Sequence, residues 1–359
     1  MFIVVALLSI GLLMVFSASP TMAMRLGDSY YYLKRHILAL VVAFMALYTG
    51  LKMDYNILKN WSIYIFSIAL LFLLIVFIPG VGLGISGASR WIYFGLFSFQ
   101  PAELAKIALI IFLAKELSSR PLPRAIWPCL GATLALLLLV IKEPDVGTAL
   151  IIAMIAFAVL YIAGTPVKYF ILLLAASLSG LLMISLTSAY RLKRLLAYIN
   201  PWADPRGIGF HIIQSLIAVG SGGMFGLGLG GSKQKFFYLP QNYTDFIFAI
   251  FCEEMGLIGA VGIILLFFIF TARGIRIVRS APDAFSMLLS GGIVSWIGLQ
   301  AILNIGVVLG ILPTTGIPLP FISYGGTSLI VTLFSVGILL NISQYRVALL
   351  NSDIAEGKA

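Results

Sequence analysis

Charge is scarce in this chain. Asp, Glu, Lys and Arg make up 10% of 359 residues, and hydrophobic residues 61%. Soluble domains run at roughly 25% and 45–50%. So little charge excludes a water-soluble globule, and the mean hydropathy of +1.09 agrees. Cysteine and histidine are nearly absent, at two each. Cys129 and Cys252 fall in or beside apolar runs, at a separation that gives neither a metal spacing nor a disulfide framework. They read as small buried hydrophobes. His36 and His211 stand far apart in sequence, which argues against a zinc site. No solenoid-type repeat and no low-complexity linker is present, so residues 1–359 read as one integral membrane domain. The first apolar run, MFIVVALLSIGLLMVFSAS, lacks a basic leader and ends in a poor cleavage site, so a retained first span is expected.

What the chain does have is a series of apolar runs of membrane length. Ten fall at about 2–19, 36–51, 61–78, 101–117, 127–141, 147–163, 168–188, 245–272, 285–309 and 326–344. Backbone polar groups cannot stay unpaired in lipid, and runs of about 20 residues imply helices rather than a barrel. The expected fold is an all-α polytopic integral membrane protein, with about ten transmembrane helices and one large extracytoplasmic loop at about 189–244. With the N-terminus inside, inner loops and tail hold eleven basic residues and the short outer loops five. That places both termini in the cytoplasm. The net charge of +10 suits basic loops at anionic headgroups, or an anionic lipid-linked substrate, and calls for no nucleic acid.

The interval from Pro201 to Gly259 is unlike the rest. It holds seven glycines between Gly220 and Gly231, then Lys233 and Lys235, then Asp245 at the mouth of an apolar helix. The glycines do not match a nucleotide fingerprint, because no strand precedes them and the spacing fails. They suit close backbone approach, an anion-holding nest, or plain loop flexibility. Arg191 and Arg194 lie upstream, and His211 and Gln214 sit on an amphipathic stretch suited to a membrane surface. Asp245 is either a helix N-cap or a working acid. Glu253 and Glu254 follow within the helix, about 80° and 180° round from Asp245, so the three form no single carboxylate face. One of the two glutamates is a candidate to neutralise Lys106.

Earlier in the chain, Glu103 and Lys106 share a helix face three residues apart. They are either a self-neutralising pair or the lining of a polar cavity. Arg90 and Trp91 lead an aromatic amphipathic segment that suits an interfacial belt, or a lipid carrying phosphate and sugar. Glu143 and Asp145 stand at a helix start, where acids favour the dipole.

Four blocks together resemble the shape, elongation, division and sporulation (SEDS) family. They are GASRWIYFGLFSFQPAELAK, KEPDVGTALI, the stretch from GFHIIQSLIAVGSGGMFGLGLGG to CEEMGLIGA, and GVVLGILPTTGIPLPFISYGGTS. They come in the family's order and span most of the chain. Pro318 in the last block favours the elongation (RodA) branch over the division branch. One departure is QNYTDFIFA, where many members carry an acid and a His before the Thr; Asn242 and Tyr243 stand there.

The resemblance implies a peptidoglycan glycosyltransferase that polymerises lipid II outside the bacterial cytoplasmic membrane. It implies a class B penicillin-binding protein (a transpeptidase) as partner, with elongation-complex membrane proteins. It carries the family's essential aspartate to Asp245 and its important loop tryptophan to Trp91. An α-linked diphosphate donor and a β-1,4 product need one displacement and one base. The leaving diphosphate needs positive charge. Lys233, Lys235, Arg191 and Arg194 are expected to supply it, with Arg90, Trp91 and Lys106 completing the site and Glu103, Glu253, Glu254 and Gln214 supporting it. A divalent cation, Mg or Mn, held at Asp245 is the other source. Two further classes stand beside it: a lipid II flippase without bond chemistry, which the polar intramembrane residues Glu103, Lys106, Glu253 and Glu254 also suit, and a scaffold for the transpeptidase, which leaves the buried charges and Asp245 unexplained.

Overall fold

The computed structural model describes residues 1–24, 27–78, 82–85, 88–94, 97–171, 174–175, 180, 198–236, 239 and 242–355. It is a polytopic, overwhelmingly helical membrane protein. Among the described residues, five helices are long and apolar enough to cross a bilayer: Tyr31–Lys52, Leu122–Lys142, Ile247–Arg279, Ala284–Val308 and, within the last helix, Gly326–Tyr345. Phe2–Ala18, Ser62–Ile75 and Val146–Ile162 are shorter apolar helices at three more expected spans. Pro101–Ser119 occupies the fourth. The expected span at 168–188 falls largely outside the described residues. Cα packing divides the chain into two compact units. One comprises Met1–Leu38, Pro166–Phe270 and Gly298–Gly325, and the other Ala39–Thr165, Thr271–Ile297 and Gly326–Ala359.

The second unit is built round Pro101–Ser119. This helix carries four charged residues and is nonetheless buried on nearly every side, Glu103, Lys106 and Glu116 included. Ser62–Ile75, Leu122–Lys142 and Val146–Ile162 pack on it. Gly292 presses its backbone against Ile110 and Val159, where a Cβ would stand 2.6 Å from Ile110 Cγ2. A small sheet interrupts the helices, where the sequence suggested only an amphipathic interfacial segment. Strands β1 (Gly82–Ile85), β2 (Ala88–Phe94) and β3 (Phe97–Phe99) form an antiparallel meander, with Leu83 opposite Trp91 and Ile92 opposite Phe99. The physical reason lies in β2. Ile92 is buried, at 3% exposure, between half-buried Trp91 and exposed Tyr93, at 50%, as on a half-buried strand of aromatic and β-branched residues.

The first unit holds the unusual interval. Phe210–Ser221 is helical, with Ile212, Ile213, Ser215 and Ala218 buried. It does not simply lie on a surface, because Ser215 donates to the Val308 carbonyl at 2.8 Å and His211 stacks on Phe246. The long Ile247–Arg279 helix is broken at Gly256, which takes φ 65°, ψ −167°. A break frees backbone donors and acceptors that lipid cannot satisfy. The glycine-rich loop satisfies them. Leu227 N–H donates to Glu253 O and Gly228 N–H to Glu254 O, each at 3.0 Å. In return Leu257 N–H donates to Gly223 O at 2.9 Å and Ile258 N–H to Met224 O at 3.3 Å. The close approach that glycines allow is therefore made to the chain's own helix. A Cβ on Gly256 would stand 2.6 Å from Met224 O.

Candidate active site

Asp245 lies in the turn just before the Ile247–Arg279 helix and is half-buried. Three successive main-chain carbonyls hold this turn. Tyr324 N–H donates to Tyr243 O at 3.0 Å. Ser323 Oγ donates to Thr244 O at 2.6 Å, and Asn304 Nδ2 to Asp245 O at 2.8 Å. Asn304 donates also to Ile317 O, Gln300 to Pro318 O, and Leu319 N–H to Ser323 Oγ. The GIPLPFISYGG stretch is thus a backbone clamp on the Asp245 turn. Gly316, at φ +73°, faces the carboxylate, and a Cβ there would come 3.5 Å from Oδ2.

Tyrosines surround the turn. The Tyr32 ring lies 4.6 Å from that of Tyr243 and 5.3 Å from that of Tyr324, and Tyr243 lies 5.6 Å from Tyr324. Burial pushes the Tyr243 phenol above its ordinary value, and hydrogen bonding to Tyr32 and the nearness of Tyr32, Tyr324 and Asp245 add to it. Burial pushes Tyr324 up to about 12, with Arg35 pulling the other way. Both phenols keep their protons at neutral pH and can donate hydrogen bonds.

Below the turn, the two helix glutamates are occupied by the loop. Glu253 accepts from Ser232 Oγ and, at 3.0 and 3.3 Å, from the N–H groups of Lys233 and Gln234. Glu254 pairs with Lys235 at 3.2 Å and accepts from Ser17 Oγ at 2.6 Å. Lys235 Nζ also donates to Gly230 O at 2.7 Å. Lys235, expected among the substrate-binding cations, is buried here because Glu254 is buried; a carboxylate inside an apolar helix draws the nearest cation. The Lys233 side chain is exposed, and Gln214 is half-buried on Phe210–Ser221. The Lys235 carbonyl accepts from Thr21 and from Asn242, which ties the loop to the Asp245 turn.

In the other unit, Lys106 bonds Glu103 at 2.8 Å and sits 4.8 Å from the Trp296 ring centroid, 2% exposed. Its described anion is Glu103, on its own helix, while Glu253 and Glu254 find their partners in the glycine-rich loop. Arg90 does not project freely beside Trp91. Its guanidinium donates to the carbonyls of Glu143, at 3.1 Å, and Pro144. Trp91 is half-buried on β2. Asp145 caps the Val146–Ile162 helix through Thr148 N–H at 3.1 Å. Glu143 is buried, and neither carboxylate oxygen has a hydrogen-bond partner among the described residues. Arg191 and Arg194 lie outside the described residues. Among the described residues no three His, Cys, Asp or Glu side chains gather to hold a metal.

The sequence does not single out Tyr32, Arg35 or Tyr324, and Tyr243 stands out in it only as a departure from the family pattern. The available signal was the YYYLKR run and the tyrosine of ISYGG. Only the fold brings them to one turn.

A predominantly helical membrane protein with a backbone-clamped aspartate beside a broken helix is the class these features define. Residues 1–348 match the FtsW/RodA/SpoVE cell cycle protein family, and the chain belongs to it. It is 45% identical over 349 residues to stage V sporulation protein E of Bacillus subtilis strain 168, covering 96% of this chain and 95% of that one. It is 44% identical over 345 residues to the probable peptidoglycan glycosyltransferase FtsW of Geobacter metallireducens, covering 94% and 92%. Among solved structures, a chain of a peptidoglycan synthase complex that coordinates polymerization and crosslinking superposes with TM-score 0.80, at 33% identity and 96% coverage of both chains. The rod shape determining protein RodA of Thermus thermophilus superposes with TM-score 0.71, at 30% identity, covering 96% and 95%.

Proposed function

We propose that this chain is a peptidoglycan glycosyltransferase that joins lipid II units into β-1,4 glycan strands on the outer face of the cytoplasmic membrane, with both termini inside. The observation that carries the proposal is the clamp on Asp245, whose turn is fixed through three consecutive carbonyls. A fixed carboxylate is what a general base needs, since misplacement of the proton acceptor is costly. The relative named as a probable peptidoglycan glycosyltransferase supports the reaction class.

In the proposed step, Asp245 takes the proton of the acceptor sugar's hydroxyl. The oxygen attacks the anomeric carbon of the donor, and the C–O bond to the diphosphate breaks with its electron pair on the departing oxygen. Configuration inverts in this single displacement. Exposed Lys233 stands available to the phosphates, and the arginines at 191 and 194 belong to the same proposal. Trp91 is proposed to pack against the substrate sugar. Among the described residues no protein groups alone form a metal cage; a divalent ion, were one to bind, would be held by Asp245 with the substrate's phosphates, the mode Mg²⁺ uses. Such an ion would supply charge neutralisation for the leaving diphosphate. The crosslinking assembly among the structural relatives supports a class B penicillin-binding protein as partner.

The cellular role has two readings. Pro318 favours the elongation branch and its membrane complex, whereas the 45% relative is named for sporulation and the 44% relative is named FtsW rather than RodA, which favours a sporulation or division role. Imaging a tagged chain separates lateral-wall from septal placement. The enzymatic test uses purified chain with its transpeptidase, lipid II and detergent, with and without chelator. Wild type is expected to polymerise there, where no two sides exist for a flippase to connect. Asp245→Asn should lower the rate by about 10²–10⁴-fold with the fold intact. Retained polymerisation by that variant would remove Asp245 from the base position.

A further inference from the structure

Arg35 and the tyrosines round Asp245 are not used by the step above. Arg35 is half-buried, with its guanidinium 4.6 Å over the Tyr31 ring. It makes no ion pair with a carboxylate among the described residues, while its neighbour Lys34 is held by exposed Asp28 at 2.8 Å. On the same helix, Tyr32 packs on Tyr243 and Tyr324, and the His36 ring lies 5.9 Å from that of Tyr324. Tyr243 and Tyr324 belong to the very strands of chain that clamp the Asp245 turn. The result is one half-exposed wall of a planar cation, phenol donors and aromatic faces, fixed to the candidate base.

A half-buried guanidinium with no carboxylate partner among the described residues invites an anion, and its planar fork matches phosphate. Aromatic faces beside it accept the C–H face of a sugar ring. A lipid tail would use neither group, and a simple carboxylate only one. We propose that Arg35, with Tyr32, Tyr243 and Tyr324, forms the subsite for the junction of sugar and diphosphate in a lipid-linked saccharide. This rests on the glycosyltransferase reading of Asp245. Arg35 then donates to the diphosphate oxygen that receives the electron pair when the anomeric C–O bond breaks, while the acceptor's proton passes to Asp245.

The test measures binding as well as turnover. Purified full chain in detergent is titrated with undecaprenyl diphosphate and, separately, with undecaprenyl monophosphate. Arg35→Gln should weaken diphosphate binding about tenfold or more, the worth of a lost charge-assisted hydrogen bond. Arg35→Lys should recover part of the loss, and Lys34→Gln should change nothing. In polymerisation, Arg35→Gln should lower kcat as well as raise KM, because charge on the diphosphate grows in the transition state. Unchanged diphosphate affinity in a folded Arg35→Gln protein overturns the subsite, as does an equal loss in Lys34→Gln, which would mean diffuse surface attraction. Wild type that binds the diphosphate lipid through Arg35 yet makes no glycan would sink the Asp245 reading and leave the subsite standing.

Discussion

Two buried Glu–Lys pairs serve this protein in different ways. Glu103 and Lys106 sit three apart on one helix, 2.8 Å between charges, and need no other element to meet. Glu254 and Lys235 are nineteen residues apart and meet at 3.2 Å only because the glycine-rich loop folds against the helix break at Gly256. The first is a local neutralisation that lets a charged helix be buried. The second is a clasp, closing a loop onto a helix whose own ladder is interrupted. The lesson is that a buried ion pair in a membrane protein can be cheap to specify or can specify tertiary structure, according to whether its partners share a helix.

The strongest way to break the contrast is at the clasp's backbone. Gly256→Ala forces a side chain into the left-handed region and against Met224 O, so folded protein should be largely lost in size-exclusion of detergent extracts. Gly228→Ala, also at positive φ but with open space around it, should cost only about 1–2 kcal/mol. Equal losses would show that conformation alone, not loop-to-helix contact, decides the clasp.

Next in size, Lys235→Met should cost about 3–5 kcal/mol by leaving Glu254 buried without its cation. Adding Glu254→Leu should return most of that stability. Exchanging the charges separates the pairs further. Glu103→Lys with Lys106→Glu keeps a same-helix pair and should cost less than Lys235→Glu with Glu254→Lys, which sets a carboxylate against the Gly230 carbonyl. Thermal midpoints of the four proteins in detergent decide it.

A last effect, small within any one pH unit, concerns an acid with no ion-pair partner among the described residues. Burial raises Glu143 from 4.5 to about 8, with Asp145 adding and Arg90 opposing. Below pH 4.5 folded and unfolded chains both hold the proton. Between 4.5 and about 8 only the folded chain does, so stability falls as pH rises, by at most about 1.4 kcal/mol per unit. Glu143→Gln should flatten that slope in a series of thermal midpoints, and an unchanged slope would place the titration elsewhere.

Much of the fold was legible because its signals are local. Apolar runs gave nearly every described membrane helix to within a few residues, and the Glu103–Lys106 spacing put both on one helix face while leaving open whether they pair or line a cavity. The small sheet at 82–99 was legible in principle from the aromatic and β-branched residues of β2, yet its aromatics also fit an interfacial belt. Asp245 stood out as an acid at a helix mouth. Its clamp did not, since Asn304, Ser323 and Tyr324 come from 59 or more residues away and hold it through backbone atoms that carry no sequence signature.

By itself, then, the sequence determined a membrane protein of many helices, a glycine-rich basic interval unlike the rest, and an aspartate at its end. Hydrophobic length and helical spacing are properties of neighbours along the chain. Tertiary structure alone decided where the charges of that interval go. Glu254, buried by the helix, takes Lys235, and the glycines close on the break at Gly256. Tyr32, Tyr243 and Tyr324 then converge beside Asp245, with Arg35 on the helix that carries Tyr32. Which cation meets which anion depends on desolvation and distance in three dimensions, and neither is written in spacing.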